Sequence, residues 1–240
     1  MTRILLVRGM LAGVVAGLLV FALARWTGEP QVERAIAFET SMDEAKGEAP
    51  EPEIVSRRIQ STLGLLTATV VDGAAVGGLF ALVFAFAYGR MPVTDPRALS
   101  AVLAGLGFVT IAVVPALKYP ANPPSVGNPE TIGMRTAAFF FLIAFSVAAM
   151  VLAVQIERRF HSRLGGWNAG LVAAAFFVIA IATASHFLPA FDEVPPGFPV
   201  TLMWKFRVAA MEMQLLLWAI LGFLFGWLTE RDIAARRFHD

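Results

Sequence analysis

Apolar positions in this chain gather into long unbroken runs separated by short polar connections, and no stretch alternates with a period of two. Six runs, at about 4–24, 63–88, 99–117, 136–156, 167–187 and 208–228, are long enough as helices to cross ~30 Å of hydrocarbon, which takes roughly 20 residues. With no water inside a bilayer, a spanning segment must pair its own backbone groups, and a helix does so. The pattern predicts an all-α integral membrane protein: one membrane domain over 1–240, a bundle of about six transmembrane helices. One connection is long. Residues 25–62 form an outer loop in which Val32, Ala35, Ile36 and Glu39 recur at helical spacing, so a short amphipathic helix is expected over 31–46, lying along the bilayer. An acidic joint, 47–53, follows it.

The first run has two readings. Arg3 and Arg8 in front and Ala22-Leu23-Ala24 behind fit an export signal with a cleavage site. Gly9, Gly13 and Gly17, spaced four apart, fit the packing face of a retained spanning helix, and a cleaved segment needs no such face. Lysine and arginine in short connections set orientation. With the first helix starting inside, ten basic residues lie on the cytoplasmic side and four (Lys118, Arg135, Lys205, Arg207) in the short outer loops. Both termini are therefore expected in the cytoplasm. The third and fifth runs end alike, in Pro115-Ala116-Leu117-Lys118-Tyr119-Pro120 and in Pro189-Ala190-Phe191-Asp192-Glu193-Val194-Pro195, which suggests three helical hairpins in repeat.

Composition agrees and excludes much. Only 15% of residues are charged, where a soluble domain carries about a quarter. A net charge of +1, with no basic patch interleaved with aromatics, argues against a nucleic-acid partner. There is no cysteine, which removes disulfides, thiolate metal sites and cysteine nucleophiles. No phosphate-binding loop, His-Glu-x-x-His or nucleophile elbow occurs, so no enzyme is expected.

The remaining chemistry sits at a few positions. Asp72, deep in the second run, is expected to face the bundle interior as a cation ligand or proton carrier, or protonated and hydrogen-bonded to a neighbouring helix. Glu212 and Gln214, and likewise Met211 and Met213, are two apart and point to different faces. The proline-rich loops are expected to meet as one outer mouth. There His186, Asp192 and Glu193 would supply a nitrogen and two carboxylates, and Asn122 and Tyr119 neutral oxygens, a set suited to a borderline divalent ion.

Three segments carry a family resemblance. They are Gly28-Glu29-Pro30 with Arg34-Ala35-Ile36-Ala37-Phe38-Glu39, then Leu117-Lys118-Tyr119-Pro120-Ala121-Asn122-Pro123-Pro124, then Glu193-Val194-Pro195-Pro196-Gly197-Phe198-Pro199 with Trp204-Lys205-Phe206-Arg207. Together they resemble the CbtA family of cobalt transporter components. The resemblance implies a cobalt uptake component of a bacterial cytoplasmic membrane, linked to cobalamin biosynthesis. It also implies a small single-span partner with a histidine-bearing tail, cobalt as transported substrate and no tightly bound cofactor. Neither His186 nor Glu212 belongs to the quoted segments. The alternative from the residues alone is a membrane scaffold, or an assembly component of a larger complex, that moves no ion.

Overall fold

The structure, a computed structural model, describes residues 2–47 and 54–237, with side chains described up to Arg231. The acidic joint, from residue 48 to 53, lies outside the described residues. Every regular element among the described residues is helical. Five helical stretches are long and apolar enough to cross a membrane: Thr2–Lys46, Arg57–Ala87, Pro96–Lys118, Pro129–Phe187 and Val200–Arg231.

The first and fourth of these depart most from the expected runs, for local physical reasons. The first continues past the expected break at Gly28-Glu29-Pro30. Helix α1 (Thr2–Leu23) passes into α2 (Glu29–Lys46) through a π-helical turn, Ala24–Gly28. Proline lacks an amide hydrogen and clashes with the carbonyl four residues back. A widened turn placed just before Pro30 relieves both constraints, and the helix runs on. The same device precedes Pro115, where a π-helical segment, Phe108–Val113, leads into the next short helix. So residues 29–46 are helical, but as an extension of α1, not a separate amphipathic helix, and α2 ends at Gly47 in the left-handed conformation (φ 75°). The fourth stretch merges two of the expected runs. The polar connection expected between them is helical up to Gly165, whose φ of 73° and ψ of 160° break the helix into arms 132–164 and 166–187.

Contacts divide the chain into two compact units. The first comprises Met1–Gly105, Pro123–Ser125 and Gly197–Asp240. It holds α1, α2, the short α3 (Arg57–Ile59), α4 (Leu65–Ala87), most of α5 (Pro96–Gly107), α8 (Val200–Ile220) and α9 (Gly226–Arg237). Its centre is the antiparallel contact of α1 with α4. A Cβ built on Gly13 would lie 1.9 Å from the Gly73 carbonyl oxygen, one on Gly9 2.2 Å from that of Gly77, and one on Gly17 2.3 Å from that of Thr69. The glycine spacing read from the sequence is thus a true packing face. Between Leu5 and Val20, the buried side of α1 is Gly9, Ala12, Gly13, Ala16 and Gly17, while Val7, Leu11, Val15 and Leu18 are exposed. Small inside and large outside reverses the rule for soluble helices. Lipid is as apolar as leucine, so close backbone approach drives association instead.

Farther along α4, Phe80 and Phe84 meet Phe225 edge-on at 5.4 and 5.1 Å, each such pair worth about 0.5–1.5 kcal/mol. Ser100 of α5 donates to the carbonyl of Gly222 at 2.7 Å, and Gly222 and Gly226 leave room for Ala104 and Ser100. Lys205 and Arg207, expected in a loop, stand within α8, which begins eight residues before the expected 208.

The second unit comprises Leu106–Asn122 and Val126–Pro196. It holds the π-helical segment, α6 (Val114–Lys118) and α7 (Ile132–Phe187), with the loops at their ends.

Candidate functional site

The two loops built on Pro-Ala starts meet, as expected, within the second unit. After α6 the chain extends at Tyr119, whose hydroxyl donates to the Pro189 carbonyl at 2.8 Å and whose ring lies 5.8 Å from that of Phe191. Before α7, Asn128 caps a single 3₁₀ turn, Pro129–Thr131, its Oδ1 accepting from the Glu130 amide at 2.9 Å. That turn grips the other loop. The Asn128 amide donates to Glu193 Oε2 at 2.7 Å, and the Thr131 hydroxyl donates to Glu193 Oε1 at 2.6 Å. Arg135 completes the clasp: its Nε lies 3.4 Å from Glu193 Oε2 and its Nη2 donates to the Asn128 carbonyl at 3.1 Å.

Gly127 is favoured here by its backbone, and it also leaves room for Arg135. Its φ is 128°, outside the range of ordinary side chains, and a Cβ would stand 2.4 Å from the Arg135 guanidinium. The Thr131 hydroxyl, the Asn128 amide and the Arg135 charge hold the Glu193 carboxyl below its usual range. Burial pushes the Tyr119 phenol up.

The metal set expected from the sequence is therefore divided. Glu193 is taken up in joining two loops, with both oxygens already accepting hydrogen bonds. Asp192 beside it is exposed, as are His186 and Asn122, and Tyr119 spends its hydroxyl on Pro189. Among the described residues, no three His, Asp or Glu side chains are grouped to hold a metal ion. The two loops meet, but their carboxylates do not converge: Glu193 anchors the clasp and its neighbour Asp192 is exposed.

Asp72 requires a larger correction. It does not face a bundle interior. It sits on the exposed side of α4, because Gly73 and Gly77 turn the other side of that helix onto α1. Close packing set the rotation of α4, and the acid was left outside.

A second polar cluster sits where α2 starts and α4 is approached. The buried Glu29 carboxylate pairs with Arg57, and Arg25 donates to the Ser61 carbonyl at 3.2 Å. Arg34 donates to Gln31 Oε1 at 3.2 Å. Glu29, within the outer loop expected over 25–62, is thus an internal pairing residue. Sequence reasoning missed Asn128, Thr131 and Arg135 as site residues. Asn-Pro-Glu-Thr at 128–131 is itself a helix-start signal, with a capping asparagine before a proline at the first helical position.

Among known families, the profile of CbtA, described as a probable cobalt transporter subunit, matches residues 2–230. No curated protein and no solved structure matches the chain.

Proposed function

The chain belongs to the CbtA family of probable cobalt transporter subunits, and from that premise we propose that it is the membrane-embedded component of a cobalt uptake transporter. It is a membrane protein and not an enzyme. The observation that carries the uptake reading is the family match across nearly the whole of a chain made of long apolar helices. In this reading both arms of α7 cross the membrane, which gives six crossings with both termini in the bacterial cytoplasm. The clasped loops then face outward.

The clasp supports a division of labour at that mouth. Glu193, Thr131, Asn128 and Arg135 hold the two loops together, and the exposed Asp192, His186 and Asn122 meet the arriving ion. One carboxylate, one imidazole and one amide are a sparse set for a dication. A small single-span partner bearing histidines supplies the remaining nitrogen ligands, and the cobalt delivered serves cobalamin synthesis.

Uptake of radiolabelled Co²⁺ tests this. Cells expressing the chain with its partner should accumulate the label above cells expressing either alone. Asp192→Asn should raise the half-saturating cobalt concentration several-fold with membrane abundance unchanged. Accumulation no higher than in empty cells would refute uptake, and an unchanged concentration dependence in the variant would remove Asp192 from the path.

A further inference from the structure

Asp72 has no role in the mouth described above. It lies at the middle of the apolar stretch Arg57–Ala87, fifteen residues from either end. It is exposed, and no hydrogen bond or ion pair reaches it among the described residues. An acid at that depth facing lipid is strongly unfavourable, and such residues pair or line a cavity.

Much of the surface around it is small. Gly64, Ala68 and Ala75, on the same side of the helix one and two turns away, are exposed and small. Among them stands Val71, 62% exposed between Ala68 and Ala75, and Leu79 follows two turns on from Asp72.

We propose that Asp72 marks the docking face for a transmembrane helix of a partner protein, and that this helix carries a cationic side chain (lysine, arginine or protonated histidine) at mid-membrane. The inference rests on the chain being one component of a larger transporter. Charge complementarity selects a different chain over a second copy. No lysine or arginine lies between Leu63 and Phe86, and two copies inserted the same way and packed about a twofold axis through this face would set Asp72 against Asp72. That arrangement leaves the charge unmet, whereas a cation on a foreign helix meets it. The small residues Gly64, Ala68 and Ala75 leave room beside Asp72 for a side chain of the partner helix to reach it with a direct hydrogen bond.

The chain has no cysteine, so Ala75→Cys introduces a unique thiol beside Asp72. The full-length variant, in membranes of the cells that normally make it, would be labelled with a benzophenone maleimide, irradiated, and its adducts identified by mass spectrometry. The expected product joins residue 75 to a membrane segment of another protein bearing Lys, Arg or His within one turn of the junction. The same label at Val15→Cys, an exposed position of α1, should not give it. Adding Asp72→Leu should lower the yield about tenfold, the scale of one interhelical hydrogen bond, while Asp72→Glu retains most of it. Because Asp72 is exposed, Asp72→Leu should leave the chain monodisperse in detergent, so a lost adduct reports lost docking.

Adducts with lipid alone, with a second copy, or with a segment lacking a basic residue would overturn the proposal. So would an equal yield in the leucine variant. The readout does not use cobalt, so a failure of the uptake reading leaves docking measurable, and the reverse also holds.

Discussion

The α1–α4 contact and the loop clasp hold this protein by opposite means. At α1–α4 there is almost no side chain: glycines 9, 13 and 17 lie against Gly77, Gly73 and Thr69 at distances that exclude a methyl group. At the clasp the backbone is irregular and the side chains do the joining, a carboxylate held by an amide, a hydroxyl and a guanidinium. The difference follows the solvent. Inside a bilayer every backbone polar group is paired within its own helix, lipid competes as well as leucine for apolar contacts, and shape alone separates one helix face from another. In irregular segments the free amides need partners, and charged side chains can supply them.

The contrast can be broken most severely at Gly13. A Gly13→Leu substitution drives its side chain into the Gly73 carbonyl, and backbone on both sides has no freedom to yield. Loss of most of the monodisperse protein in detergent extracts is expected. Near-normal recovery would show that α1 and α4 do not depend on this approach.

A smaller effect is expected at the clasp, and it should depend on pH. The Glu193 carboxyl titrates below its ordinary value when folded. Its stabilisation is therefore fully present above the unfolded glutamate pKa of about 4.3, and is lost as pH falls through the lower folded value. Amide exchange across 126–131 should be slow and unchanged from about pH 7 to 5, after correction for intrinsic rates, and accelerate below about pH 4. In Glu193→Gln the same amides should exchange faster at neutral pH and show no such step. A step that survives in the glutamine variant would assign the pH response to another group.

The smallest effect is expected at Tyr119→Phe, which removes one exposed hydrogen bond to Pro189 and keeps the ring beside Phe191. A loss of about 0.5 kcal/mol in stability is expected, read as a slight shift in thermal unfolding. A loss as large as that of Glu193→Gln would mean that the loops are joined chiefly by the tyrosine.

Much of the helical content was legible from hydropathy alone, because only helices satisfy their backbone in lipid and any run of about twenty apolar residues must do so. The glycine face of α1 was legible for a related reason: glycine at every fourth position has one steric use in such a helix. The sequence likewise carried the meeting of the loops through their matching Pro-Ala starts. It did not carry the helical course of the polar connection up to Gly165, or the passage of the first helix through Pro30, since both depend on backbone conformations that a hydropathy pattern does not encode.

Only the tertiary structure decided which way each polar side chain faces. Asp72 and Gly73 are adjacent, but a helix turns 100° per residue, so packing Gly73 onto α1 put the acid outside. Asp192 and Glu193 are adjacent and chemically alike, yet one is exposed and the other joins residues more than fifty positions away. Residue type sets what a carboxylate can bind, and the neighbours that the fold brings within three ångströms set what it does bind.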